Sequence, residues 1–230
     1  MTNTIEYIKN RSSLIQENIS VNSVDVDIQS EVPDNVNISK ILTIVKGTLP
    51  KSYFKKLDGI VIADLEEFER RNISAKYSED DNKLYLSADR QDNNADMLDD
   101  VYHEIGHHVE TLYPEQIYGD KAIQDEFLLK RKQLYFELAS EGYNMTPYNL
   151  ANPVYNKDLD DFFYKRVGKR MMNMVTAGIS IRPYAMVSLK EYFAVGFEQY
   201  YLGNDKDLHK ISPVLYKKIS ELHNLARNER

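Results

Sequence analysis

Apolar side chains recur at steps of three and four through residues 95–112, and this spacing limits the possible folds more than any other feature of the chain. It predicts one amphipathic helix, because residues three and four apart lie on the same helical face. Gly106 lies inside this segment, where glycine costs up to about 1 kcal/mol relative to alanine, so we expect it to serve close packing. The apolar positions are Met97, Val101, Ile105, Val109 and Leu112.

His103, Glu104 and His107 form the spacing H-E-x-x-H within the same segment. Between the two histidines a helix rises about 6 Å and turns slightly more than one full circle, so both imidazoles face one side at chelating distance. A glutamate next to the first histidine can act as general base on a metal-bound water, as in zinc metalloproteases. Such a triplet can also arise by chance, but its position on an amphipathic helix favours a metal site.

The absence of cysteine from this 230-residue chain excludes disulfides and thiolate ligands, so any metal is held by histidine and carboxylate. The formal net charge is −7 and the basic residues are scattered, so nucleic acid is not an expected partner. No apolar run approaches the roughly 20 residues of a membrane span, and residues 1–20 lack the apolar core of a signal peptide. We therefore expect a cytoplasmic chain or one secreted by a non-standard route.

The order of the predicted elements indicates an α+β fold, with a small sheet followed by a mainly helical half. Residues 1–34 are polar and lack a sustained period, so we interpret them as an N-terminal extension or arm, and residues 35–230 as one catalytic domain. The second predicted strand, residues 83–87, could be the sheet edge to which an extended peptide substrate is added as a further strand. The predicted strands are residues 59–63 and 83–87, and the predicted helices after the motif are about 121–142, 158–177, 188–202 and 213–226.

A catalytic zinc needs a third protein ligand and an open fourth position for water. His108 is rotated by about 100° from His107 on the same helix, so we interpret it as a surface or outer-shell residue. His209 and His223 lack a paired carboxylate, and we expect them to be exposed to solvent. Glu191 lies near the start of an amphipathic, apolar helix, where a lone carboxylate is costly unless a cation such as zinc compensates it.

The segments HEIGHHVE and KEYFAVGFEQYYL together resemble the catalytic domain of anthrax lethal factor and the related Pro-Pro endopeptidases, over about residues 84–225. The resemblance implies a zincin-like fold and a zinc metallopeptidase with one zinc ion. It also implies that the third ligand is the glutamate before an aromatic pair and alanine, which is Glu191. A tyrosine seven residues earlier, Tyr184, is implied to stabilise the oxyanion of the tetrahedral intermediate.

The chain departs from the family pattern at Val195, where many members of the family carry a second acidic residue. Zinc ligands usually need an outer carboxylate or carbonyl to orient them, and Asp99, Asp100 or Glu198 could supply one. Each of these three is also typical of a solvated helix face. A weaker outer shell would lower metal affinity or rate by about tenfold to a hundredfold.

We expect a zinc-dependent endopeptidase that hydrolyses a peptide or protein substrate through a metal-activated water, with Glu104 as general base. The alternative is a toxin-like or pseudoenzyme module that binds zinc and a protein partner without turnover, which Val195 and the N-terminal arm favour and the intact Glu104 disfavours. A third reading, in which the motif is a structural zinc site or a packing accident, is disfavoured because Tyr184 and Glu191 both occur at the family spacing.

Overall fold

The computed structural model describes residues 19–203 and 205–229, and the chain divides into two compact units between Val101 and Tyr102. The first unit contains a five-stranded mixed sheet with short helices, and the second is built from helices. The α+β class with a small sheet before a helical half is therefore confirmed. The helix that carries H-E-x-x-H begins in the first unit and continues into the second.

The strands of the first unit are β1 Ile19–Val21, β2 Val24–Ile28, β3 Gly59–Ile62, β4 Ala75–Ser78 and β5 Lys83–Leu86. They form one sheet in the order β1-β2-β3-β5-β4. The β2–β3 and β3–β5 pairs are parallel, whereas the two outer pairs are antiparallel. All four residues of the central strand β3 are buried, as expected for a strand with parallel neighbours on both sides.

The prediction that residues 83–87 form a sheet edge is wrong, because β5 lies between β3 and β4. The edge on that side is β4, a four-residue strand whose polar sequence AKYS has no apolar alternation to indicate it. At the other edge, β1 and β2 form a hairpin through Asn22 and Ser23, both with positive φ, within the segment interpreted as an N-terminal extension. Residues 1–18 of that segment lie outside the described residues.

The helices of the first unit follow local sequence signals. Helix α1 (Ile38–Thr48) buries Ile38 and three further apolar residues, and its N-cap Asn37 accepts a hydrogen bond from Lys40 N at 2.9 Å. A 3₁₀ turn at Lys51–Phe54 and helix α2 (Glu66–Arg71) complete this part of the chain. Helix α1 ends at Thr48, two residues before Pro50, because proline disfavours the helical conformation in the residue that precedes it.

The second unit is organised around helix α8 (Leu189–Leu202), whose residues 192–198 are all buried. The predicted helix 158–177 is divided into three successive segments, and residues 205–211 form a helix that was not predicted. The elements are α3 Asn94–Leu112, α4 Pro114–Tyr118, α5 Ala122–Ser140, α6 Lys157–Asp161, a π-helical segment Phe162–Val167, α7 Gly168–Val175, a 3₁₀ turn Pro183–Met186, α8, α9 Asp205–Ile211 and α10 Pro213–Asn228.

Gly106 lets α3 pack directly against α8, as its position in the sequence predicted. A Cβ atom at Gly106 would lie 3.3 Å from the Cα of Ala194 and 3.4 Å from the side chain of Phe197. On another side of α8, a Cβ at Gly196 would lie 2.3 Å from Leu215 of α10. The first contact sets the distance between the H-E-x-x-H helix and the helix that carries Glu191, and the second sets the distance between α8 and α10.

Each of the described helices is too short or too polar to cross a bilayer.

Candidate metal centre

His103, His107 and Glu191 each present a donor atom, and these three atoms lie within 4.8 Å of one another. Glu191 Oε2 is 3.0 Å from His103 Nε2 and 3.6 Å from His107 Nε2. The imidazole rings are 4.9 Å apart and nearly perpendicular. The three side chains are 14–18% exposed, so the cluster is sheltered but reachable from solvent. The structure thus brings together the three residues that the sequence singled out as metal ligands.

The first turn of α8 places Glu191 in this cluster. Ser188 is the N-cap, and its hydroxyl accepts a hydrogen bond from Glu191 N at 3.1 Å. This is the S-x-x-E arrangement typical of helix starts, in which a carboxylate in the first turn is favoured by the helix dipole. The carboxylate that sequence reasoning found unusual among apolar residues therefore lies at an electropositive helix end.

Arg131 of α5 holds the chain immediately before Ser188. Its side chain is fully buried, and it donates hydrogen bonds to the carbonyls of Met186, Val187 and Asn152. The guanidinium also lies 4.7 Å from the ring centre of Phe127. Burial lowers the pKa of Arg131 to about 10, so it remains a cation at neutral pH. Sequence reasoning missed this residue, because bonds to distant backbone carbonyls leave no local pattern.

Each histidine of the cluster has a carboxylate at its outer ring nitrogen. His107 Nδ1 lies 2.9 Å from Glu110 Oε2, and His103 Nδ1 lies 3.5 Å from Glu198 Oε2. Both carboxylates are 5% exposed. Such partners fix the tautomer and orientation of a ligating imidazole. The outer support that Val195 put in doubt is therefore present in another form.

Further groups hold these two outer carboxylates. The Tyr118 hydroxyl donates to Glu110 Oε1, and the Arg182 guanidinium donates to Glu198 Oε2. The Tyr118 phenol has a raised pKa, because it is buried and lies beside Glu110, and it therefore remains a donor. Each imidazole is thus the first member of a short chain of hydrogen-bonding groups.

Of the three acidic residues predicted as outer support, Glu198 is the one found at the cluster. It is buried, so its alternative reading as a solvated charge is wrong. Asp100 accepts a hydrogen bond from Gln91 at 2.8 Å, and Asp99 is exposed. Glu110 was missed, although its position three residues after His107 on the same helix was a usable signal.

Carboxylate groups surround the two histidines of the cluster. Burial alone would lower the pKa of both histidines, but the carboxylate partners outweigh it and raise the pKa of His103 to about 9 and that of His107 to about 10. Burial alone would raise the pKa of Glu191, but the two histidines hold it well below its usual range. Without an ion, the carboxylates are therefore compensated by two imidazolium groups.

This donor set fits a divalent metal ion. Two imidazole nitrogens and one carboxylate oxygen are ligands typical of catalytic zinc, and three protein ligands leave a fourth position for water. When a divalent ion binds, the two imidazolium groups can each release one proton. The positive charge that the carboxylates balance then stays the same. The structure thus shows a group that could hold one metal ion.

Glu104 and Tyr184, the two predicted catalytic residues, adjoin this group. Glu104 is 8% exposed, and its charge is one of the factors that raise the pKa of both His103 and His107. The Tyr184 ring lies 6.2 Å from the His103 ring, between centroids, and its side chain is 48% exposed. Partial burial and then Glu191 raise the pKa of the phenol, so it stays protonated and can donate a hydrogen bond.

An apolar cavity of about 190 Å³ adjoins Tyr184 on the side of α7. Phe163, Met172 and Val187 contribute buried walls, and the exposed Tyr164 contributes part of the opening. An apolar cavity of about 150 Å³ is known to hold a benzene molecule, so this one has room for a single large apolar side chain.

The remaining histidines lie outside the cluster. His108 was interpreted as a surface or outer-shell residue, and the surface alternative is wrong because its side chain is fully buried. His209 is exposed on α9, as expected, with its ring 4.8 Å from that of Tyr216. His223 is only partly exposed, and its Nδ1 lies 2.7 Å from the hydroxyl of Tyr201.

A scan against protein-family models and a search of curated proteins find no match to this chain. The class of site is therefore defined by its side chains, which form a sheltered His-His-Glu group with an adjacent glutamate and a neutral tyrosine.

Proposed function

We propose that this protein is a zinc-dependent endopeptidase with a zincin-like fold, similar to the lethal factor and Pro-Pro endopeptidase family, and that it acts on a peptide or protein. The convergence of His103, His107 and Glu191 carries this proposal, because residues distant in sequence meet with donor atoms at chelating distance. The adjacent Glu104 and Tyr184 supply the two further groups that amide hydrolysis requires.

Zinc is the metal that the donors favour. Imidazole nitrogen suits zinc better than magnesium or calcium, which prefer sites made of oxygen ligands alone. The outer carboxylates Glu110 and Glu198 also support this choice, because they hold a proton at Nδ1 of each histidine and leave Nε2 free to coordinate.

When bound, a zinc ion would lower the pKa of a water to about 7 and polarise the scissile carbonyl. Glu104 accepts the proton of the attacking water and returns it to the leaving amine, so one carboxylate serves first as base and then as acid. A C–O bond forms and the C–N bond breaks, with no covalent link to the protein.

Tyr184 acts on the carbonyl oxygen as negative charge develops there. Its raised pKa keeps the phenol protonated at neutral pH, so it can donate a hydrogen bond to that oxygen. The apolar cavity beside it would accept a side chain of the bound peptide. Both features support a peptide as substrate.

The proposal is tested by digesting a diverse peptide library with the zinc-loaded protein and identifying the products by mass spectrometry. We expect cleavage by the parent protein and by the control variant Glu137→Ala, which alters an exposed glutamate of α5. Glu104→Ala should reduce turnover by about 10²–10⁴-fold. Full peptidase activity in Glu104→Ala would refute the proposed mechanism, and zinc binding without cleavage by the parent would favour the binding module instead.

A further inference from the structure

Lys130 and Arg131 are adjacent cations on α5, and both are buried, at 6% and 0% exposure. Among the described residues, no carboxylate forms an ion pair with either side chain. Their donors are directed instead to backbone carbonyls on other segments of the second unit. Buried cations are costly unless they are fully hydrogen-bonded, so this pair is placed where particular backbone segments need to be held.

The two cations hold opposite ends of the same segment, residues 179–187. Lys130 Nζ donates to the carbonyl of Ile179 at 2.6 Å and to that of Ile211 at the same distance. Arg131 donates to the Met186 carbonyl at 3.0 and 2.8 Å and also to that of Val187. One cation therefore anchors the start of the segment and the other anchors its end.

This segment carries residues of the proposed active site. Arg182 donates to Glu198, the carboxylate behind His103, and Tyr184 is the proposed oxyanion donor. Immediately after the segment, Ser188 caps the helix that presents Glu191. The position of these groups thus depends on the path of residues 179–187.

The segment has little regular structure of its own. A single 3₁₀ turn spans Pro183–Met186, and short 3₁₀ turns have weaker hydrogen bonds than α-helices. Gly178, just before the segment, has φ of +78°, a conformation that favours glycine. Anchoring from α5 is therefore a major source of order for this part of the chain.

We propose that Lys130 and Arg131 are positioning residues of the active site. They hold residues 179–187 and, through them, the Tyr184 phenol and the Glu191 carboxylate at the geometry that hydrolysis needs, without touching substrate or metal. This inference rests on the proposed function for its catalytic consequence, whereas its structural part can be tested without turnover.

The kinetic test compares Lys130→Met and Arg131→Lys with Lys132→Met, which changes an exposed lysine of the same helix. We expect each buried substitution to lower kcat by tenfold or more with a change in KM of less than threefold. Lys132→Met should leave both parameters unchanged. Equal values for all three variants would overturn the proposal.

A double-mutant cycle separates positioning from a general loss of stability. If Arg131 acts through Tyr184, the double variant Arg131→Lys/Tyr184→Phe should be only slightly less active than the less active of the two single variants. A loss equal to the product of the two single losses would mean that Arg131 does not act through Tyr184, and would overturn this part of the inference.

Amide hydrogen exchange of the zinc-loaded protein provides a readout independent of catalysis. We expect faster exchange over residues 182–191 in Lys130→Met and Arg131→Lys than in Lys132→Met, and zinc affinity lowered by threefold or more in Arg131→Lys. Unchanged exchange and affinity would overturn the inference whatever the kinetics. Altered exchange in a protein that cleaves no peptide would instead refute the proposed function and leave the anchoring intact.

Discussion

Two buried charged clusters of the helical unit differ in how their charge is compensated. Lys130 and Arg131 are compensated mainly by hydrogen bonds to backbone carbonyls. The cluster of His103, His107 and Glu191 is partly exposed and is compensated by protons that a metal ion can replace.

Lys130 and Arg131 therefore support the fold, whereas the His-His-Glu cluster could hold a metal ion. Cations that are hydrogen-bonded to backbone carbonyls act mainly on the position of the backbone. Two imidazolium groups held between carboxylates can exchange their two protons for one divalent metal ion with no net change in charge. Substitutions in the two clusters should therefore change different measured quantities.

The largest expected effect on stability comes from Arg131→Met, which leaves the buried carbonyls of Met186 and Val187 and the part-buried carbonyl of Asn152 without their partner. Each buried carbonyl left unpaired costs about 1–3 kcal/mol, so we expect the free energy of unfolding to fall by about 2–6 kcal/mol. Urea denaturation of the metal-free protein measures this change. Lys132→Met is the control, and a loss below about 1 kcal/mol in Arg131→Met would remove the distinction between the clusters.

A smaller effect, on metal affinity alone, is expected from Glu110→Gln. The substitution weakens the hydrogen bond that orients His107, and loss of an outer partner typically costs about 10–100-fold in affinity. Glu198→Gln should cost less, because its contact with His103 is longer, at 3.5 Å. Competition with a zinc chelator measures both affinities, and Glu115→Gln, at an exposed position on α4, is the control.

Zinc binding at neutral pH should release protons from His103 and His107. The pKa values of His103 and His107 are raised from 6.5 to about 9 and about 10, so their stabilising effect on the metal-free fold is complete below pH 6.5 and is lost as the pH rises through 9–10. At pH 7 zinc binding should therefore displace about two protons, one from each histidine. Arg131 does not contact the metal and should keep its proton. Calorimetry of zinc binding in buffers of different ionisation enthalpy counts these protons, and a count near zero would contradict the charge exchange described above.

The sequence predicted the members of the His-His-Glu group better than it predicted the residues that hold them in place. The spacing of His103 and His107 is local, and Glu191 was indicated both by its resemblance to a family pattern and by its apolar surroundings. The partners of Arg131 are carbonyls 21 to 56 residues away, and carbonyls carry no residue identity that a pattern could reveal. Such tertiary anchoring could not be predicted from a single sequence.

Similar reasons explain the differences in the fold. The segment 158–177 has a helical composition throughout, but the structure inserts a π-helical stretch at Phe162–Val167 before Gly168, which has φ of +80°. Strand β4 has a polar sequence and is ordered by pairing with β5, a partner that propensity alone does not identify. Local patterns thus indicated which elements exist, whereas tertiary contacts decided where some of them end.

The most direct test measures zinc content and peptide cleavage on the same preparations of the parent protein, Glu104→Ala and Glu191→Ala. We predict one zinc ion per chain in the parent and in Glu104→Ala, with cleavage only in the parent, and no stable zinc in Glu191→Ala. Full zinc content in Glu191→Ala, or undiminished cleavage in Glu104→Ala, would contradict the assignment of this cluster as a catalytic zinc site.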